Sequence, residues 1–337
     1  MSIYIYIIMS IDSIIIGLNI TFNNNVTNLL NDCNSNIRSI IKSKLNINHK
    51  NNQVNQIKKY FNTTYNNLKN KLNVDIKYAQ TQTQTQTLIP VNKNALLIGC
   101  NYIGTQSELS GCINDVENIQ NKLKTQYKFN SIVIMTDNTS KKPTKVNILD
   151  EIKVLLNNSK SGDKLFLGFS GHGTYTKDTN GDEKDGLDEM FVPLDFNCIS
   201  DDEIKICIND NLKKDVTLFA LFDCCHSGTI LDLRYQYFDS ENYDNSTENL
   251  KETETIGNLI MISGCMDNQT SADAYINSMY QGAMTWSFLD TVSKKPKLTW
   301  IELIKNMRSS LKTSTYQQIP QLSSSKKLDL TAEICLL

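Results

Sequence analysis

"TLFALFDCCHSGT", residues 217–229, decides the fold. Six of its first seven residues suit a buried strand, and a run apolar without alternation belongs to a strand covered on both faces. The chain then turns through Cys224, Cys225, His226, Ser227 and Gly228. Outward from this stretch, "DKLFLGFSGHG" (163–173) reads as a strand ending in Gly-His-Gly. "NALLIGCNY" (94–102), "SIVIMTD" (131–137) and "GNLIMISGC" (257–265) have the same strand character. Between them, "CINDVENIQNKLKTQY" (112–127) places Ile113, Val116, Ile119 and Leu123 at helical spacing. "TKVNILDEIKVLLNN" (144–158) is amphipathic, with Pro143 just ahead of its start. The alternation predicts an α/β fold: a mostly parallel central sheet with helices on both faces.

In such sheets, sites lie at the carboxyl ends of the strands. That selects Ser170 and His172 past one strand, and Asp223, Cys224, Cys225 and His226 past another. A nucleophilic cysteine needs a partner that makes or stabilises its thiolate. Of the three histidines, His49 lies in a polar leader and His226 adjoins Cys225, where neighbouring side chains diverge. His172 is the best-placed base. Strand alternation sends Asp223 and Cys225 to one side and Cys224 to the other, which assigns Cys225 to the cleft and Cys224 to the core. A structural Cys-Cys pair and a turn with a satisfied histidine are the alternatives for each motif taken singly.

Composition narrows the classes. The net charge of −2 gives no reason to expect nucleic acid or an anionic membrane surface. Nine cysteines without regular spacing argue against a disulfide framework and for a reducing compartment, so a cytoplasmic location is expected. The chain divides near residue 90. Residues 1–90 form an Asn-rich N-terminal region containing "TQTQTQT" (81–87) and no catalytic constellation. Its apolar start, "MSIYIYIIMSIDSIIIGL", is short for a membrane span and lacks a basic leader. It is expected as a strand or helix packed on the body, with membrane association the lesser alternative.

"FSGHG" with "FDCCHSG" resembles the metacaspases, caspase-like cysteine peptidases. "YIGTQSELSGCINDV" (102–116), "DGLDEMFVPLDF" (186–196), "LIMISGCMDNQTSADA" (259–274) and "YQGAMTWSFL" (280–289) resemble further blocks of that family in its order. The resemblance implies a caspase–hemoglobinase fold over 91–337, with a large-subunit-like part 91–233, a linker 234–256 and a small-subunit-like part 257–337. It implies a single catalytic domain and peptide hydrolysis by a His172–Cys225 dyad; a monomer is expected. Backbone N–H groups of Gly173 and Cys225 are expected to hold the oxyanion, since no Asn or Gln is placed for it.

Asp223 beside the nucleophile and Asp115 in "GCIND" put two carboxylates on one rim, which suits a cationic side chain. The resemblance implies a pocket of Cys112, Asp115, Ser170 and Asp223 that takes Arg or Lys before the cut. Asp115 alone reads equally as an early-helix acid favoured by the helix dipole. "DTNGDEKDGLDE" (178–189) looks like a calcium loop but carries Glu183 where an EF-hand needs glycine. The resemblance implies instead a calcium site of Asp188, Asp201, Asp202 and Asp232, with calcium as activator and no organic cofactor. The polar linker reads as an exposed connection with Arg234 and Lys251 as possible self-cleavage points. A catalytically silent scaffold and a thiol redox protein using Cys224 and Cys225 are the other functional classes; an unrelated Cys-His acyltransferase is a weaker third.

Overall fold

The computed structural model describes residues 2–86, 91–177, 187–225, 230–237, 247–249, 252–264, 273–276, 278–295 and 297–334. The chain divides into two compact units, Met1–Pro90 and Val91–Leu337.

The first unit is a helical hairpin of α1 (Ser2–Lys42) and α2 (Ile47–Gln86). Leu18, Phe22, Val26, Leu29, Cys33, Ile37 and Ile40 recur every three or four residues on the less exposed side of α1. Val54, Ile57, Phe61, Leu68 and Leu72 do the same on α2. Such spacing makes an apolar seam between two helices. The rings of Phe22 and Tyr65 meet across it at 5.9 Å. The apolar start, expected as a strand or helix, lies in α1; α2 was not foreseen, because asparagine recurs along it and hides the period. Among the described residues, no helix is long and apolar enough to cross a membrane.

The second unit runs β1 (Lys93–Gly99), α3 (Cys112–Thr125), β2 (Ser131–Thr136), α4 (Lys145–Asn157), β3 (Lys164–Ser170), β4 (Gly173–Lys177), β5 (Leu187–Phe191), β6 (Ile199–Ser200), α5 (Asp201–Asn211) and β7 (Thr217–Asp223). It continues with β8 (Tyr235–Tyr237), β9 (Thr247–Glu248), β10 (Asn258–Ser263), β11 (Asp273–Ile276), β12 (Met279–Gly282), α6 (Ala283–Lys294), α7 (Trp300–Thr313) and β13 (Gln321–Ser324). An eight-stranded sheet has the order β2-β1-β3-β7-β10-β13-β8-β9. The first five of these are parallel, and β13 joins β10 antiparallel. Alternation along β1 sends Leu96 and Ile98 to a core shared with α4 and α5, and Ala95 and Leu97 to one shared with α3, α6 and α7. The mostly parallel sheet covered on both faces is as the strand runs led one to expect.

Three local expectations are corrected. The strand ending in Gly-His-Gly stops at Ser170, and Gly173 opens β4 in a separate three-stranded sheet, because Gly173 pairs with Phe191 of β5. The segment after Asp232 is not a wholly exposed connection: Tyr235, Gln236 and Tyr237 are buried in β8 against β13. Asp201 and Asp202, expected in no element, lie in the first turn of α5. Lys251, His226, Ser227, Gly228 and the 178–186 part of the acidic loop lie outside the described residues.

Candidate active site and acidic cluster

β3 and β7 are adjacent parallel strands with Ser170 level with Asp223. Two residues further along each chain, His172 and Cys225 therefore stand level at the carboxyl edge. The two segments touch there: a side chain built on Gly173 would overlap the Cys225 carbonyl and lie 3.2 Å from the Cys225 nitrogen. Only glycine allows this approach. Cys224 is fully buried in the core, whereas Cys225 is partly exposed.

His172 is fixed from three directions. Its backbone N–H donates to the Tyr102 hydroxyl at 2.8 Å, and its carbonyl accepts from Val192 N–H at 2.9 Å. Its Nε2 lies 2.8 Å from the Ser107 carbonyl. A carbonyl only accepts, so Nε2 carries the proton and Nδ1 is the nitrogen that can exchange one. Tyr102 also donates to the Val192 carbonyl at 2.6 Å, and its ring lies 4.8 Å from the imidazole. Tyr102 takes a left-handed backbone, φ 52°. Burial above all, with the neighbouring thiol Cys100, pushes its pKa far up, so it stays a neutral phenol. Nothing in "NY" marked Tyr102 or Ser107 as supports of the histidine, since both contacts are long-range.

Beside this pair, Asp115 and Asp223 are both buried. Ser170 Oγ donates to Asp115 Oδ2 at 2.6 Å, which joins α3 to the end of β3. Gly282 N–H donates to the Asp115 carboxylate at 3.0 Å, and Thr285 N–H to Asp223 Oδ2 at 2.8 Å. Both donors belong to the N-terminus of α6, where the helix dipole favours anions. A side chain on Gly282 would meet both carboxylates, Asp115 Oδ2 at 2.8 Å and Asp223 Oδ2 closer still. Gly282 and Thr285 were missed as site residues. Cys112 is buried in the first turn of α3, one turn ahead of Asp115.

Asp201, Asp202 and Asp232 form a second acidic group, with carboxylate oxygens within 4.8 Å of one another. Asp201 Oδ2 accepts Glu189 N–H at 2.9 Å. Burial, then the charges of Asp232 and Asp188, push its pKa up to about 7. Asp188 on β5 is therefore within electrostatic reach, although it stands outside the tight trio. Asp232 takes a left-handed backbone, φ 42°, and its carboxylate stands beside the first turn of α5. Lys205 lies 3.5 Å from Asp232 and 2.7 Å from Glu252. Lys205 and Glu252 were not foreseen. Arg234 pairs with Glu248 at 2.8 Å at the head of β8.

Residues 93–234 match the model of the metacaspase, peptidase C14 domain. Metacaspase-1 of Kluyveromyces lactis is 36% identical over 297 residues, covering 72% of this chain and 68% of that protein. Metacaspase-1 of Schizosaccharomyces pombe is also 36% identical, covering 72% of this chain and 70% of that one. A crystal structure of a Geobacter sulfurreducens protein superposes with a TM-score of 0.54 at 24% identity, covering 72% of this chain and 97% of that one. With 36% identity in an alignment that spans more than two thirds of such relatives, the chain belongs to the metacaspases, the caspase-like family of cysteine peptidases.

Proposed function

We propose that this cysteine peptidase cuts polypeptides after Arg or Lys and is activated by calcium. The observation that carries the first half is Gly282, seated against two buried carboxylates, Asp115 and Asp223, beside the dyad. Two like charges out of water call for a compensating cation. Carboxylates take a guanidinium in bidentate fashion and an ammonium as a point charge, which suits this pair to Arg or Lys. The same rim disfavours an acidic side chain before the cut.

In this reading Cys225 Sγ gives its proton to His172 Nδ1 and bonds to the scissile carbonyl carbon, while the developing oxyanion faces backbone N–H groups at Gly173 and Cys225. The C–N bond breaks as His172 Nδ1 hands its proton to the departing amine. Water then attacks the thioester, His172 Nδ1 takes the water's proton, and the C–S bond breaks with Cys225 leaving as the thiolate paired with the imidazolium. The Ser107 carbonyl on Nε2 keeps the ring aimed through both steps.

The acidic cluster fits calcium by its donor chemistry: the trio offers hard carboxylate oxygens from two separate segments, and Asp188 stands near as a further carboxylate. When bound, the ion supplies positive charge that offsets the mutual repulsion among these groups. Asp232, seven residues past Cys225, would then be tied to the first turn of α5 through the shared ion. Self-processing in the linker suits Lys251 better than Arg234. Cutting after Arg234 requires its pair with Glu248 to break and buried β8 to leave the sheet. β8 and β9 cover the edge of β13, which favours a monomer.

A peptide library assayed with and without calcium tests the whole reading. Cleavage after Arg and Lys that rises with calcium is expected; efficient cleavage after Asp refutes the pocket assignment.

A further inference from the structure

β11 and β12 form a two-stranded antiparallel hairpin that runs into α6 through Gly282. We propose that Tyr275 and Tyr280 on this hairpin form a subsite for an aromatic or bulky apolar side chain, two residues before the residue held in the acidic pocket. The proposal rests on the basic-residue reading of that pocket.

The side-chain direction at Gly282 points straight at Asp223 and Asp115. Residues two apart on a strand share a face, so Tyr280 projects from the face of β12 that looks into the pocket. Tyr275 is the cross-strand partner of Tyr280 and shares that face. The intervening Gln281 points the other way: it is buried, and its side chain donates to the Ile276 carbonyl at 3.0 Å. The two rings meet edge-on at 5.0 Å, yet the residues remain 64% and 48% exposed. They form an exposed aromatic pair on the pocket-facing side of the hairpin.

The hairpin is anchored where it matters. Asn114, next to Asp115 on α3, donates from its amide to the Tyr280 carbonyl at 2.8 Å. The tyrosines thus share a support with the carboxylate pocket. At about 3.4 Å per residue, Tyr280 stands about 7 Å from Gly282 along the strand. An extended substrate has the same rise and alternation. With one side chain in the pocket, the side chain two residues away reaches the tyrosine pair. The hairpin leaves from the wall of the pocket that takes the residue before the cut, and on that ground the tyrosine pair is assigned to the side before the cut. Tyrosine rings gather apolar and aromatic groups at low entropic cost.

The test is a library in which the cut residue and the two residues before it vary independently, with full-length wild type, Tyr275→Ala/Tyr280→Ala and Tyr275→Lys. Wild type should prefer Phe, Tyr or Leu over Ser two positions before the cut residue by about tenfold in kcat/KM. The double alanine variant should lose that preference and keep its choice at the cut residue. Tyr275→Lys, at a mostly exposed position, should favour Asp or Glu there instead. Circular dichroism melts verify that each variant is folded. An unchanged preference in the double variant, no gain of acidic residues with Tyr275→Lys, or a preference that appears after the cut overturns the subsite. Loss of Arg and Lys selection with the tyrosine-dependent preference intact refutes the pocket reading alone.

Discussion

At the scale of single residues, the site depends on atoms whose spacing leaves little room. Tyr102 acts on His172 through one hydrogen bond to its backbone and one ring contact. Tyr102→Phe keeps the ring and leaves the His172 N–H and Val192 carbonyl without their shared partner. Loss of one such bond corresponds to about tenfold in rate. We expect kcat to fall by that order with KM unchanged, as steady-state kinetics on an Arg-ended peptide will show. Gly282→Ala drives a methyl group into Asp223 and Asp115, so kcat/KM on the same peptide should drop about 100-fold. Asp201 gives a pH signature: its carboxyl is raised from 3.8 to about 7 in the folded chain. A raised acid holds its proton more tightly when folded, so its contribution to stability is lost as pH rises from about 4 through about 7. In metal-free protein, Asp201→Asn should melt increasingly above wild type as pH goes from 5 to 8. The places of the candidate residues were legible because Ser170 and Asp223 end strands that are plain in sequence and His172 and Cys225 lie two residues further on. Their supports were not: Tyr102, Ser107 and Gly282 reach the site only through tertiary contact.

At the scale of elements, the continuous strands and the helices α3 and α4 could be read because each buries a face with a clear period. The α5 helix was missed although "SDDE" carries its signature. Ser200 and Glu203 form a reciprocal capping box, which fixes Asp201 and Asp202 in the first turn. "TWIE" ahead of α7 carries the same device at Thr299 and Glu302. β8 was hidden because Tyr-Gln-Tyr sits in a polar stretch and becomes a strand only by pairing with β13. The position of α5 bears on calcium. Asp201→Ala with Asp202→Ala should raise the calcium needed for half-maximal cleavage steeply, while Asp178→Ala with Asp182→Ala should barely change it. A calcium titration of both double variants, with calorimetry as a readout independent of activity, decides between them. The reverse order of sensitivity moves the metal to the 178–189 loop.

At the scale of the whole molecule, the chain carries its catalytic groups in one of two compact units. Every site residue described above lies between Tyr102 and Thr285, and the helical hairpin of α1 and α2 supplies none. The boundary was legible as a change of composition near residue 90, but the hairpin's helices were not. A chain beginning at Val91 should therefore cleave peptides with kcat/KM within a few-fold of full length. The central claim is a dyad of Cys225 and His172 beside a carboxylate pocket for a basic residue. Its most direct test is kcat/KM on matched peptides ending in Arg and in Asp before the cut, for wild type, Cys225→Ala, Cys224→Ala and Asp223→Ala in calcium. The account predicts cleavage of the Arg peptide alone, abolished in Cys225→Ala, mostly kept in Cys224→Ala and lost in a folded Asp223→Ala. An active Cys225→Ala, or a wild type that prefers the Asp peptide, contradicts it.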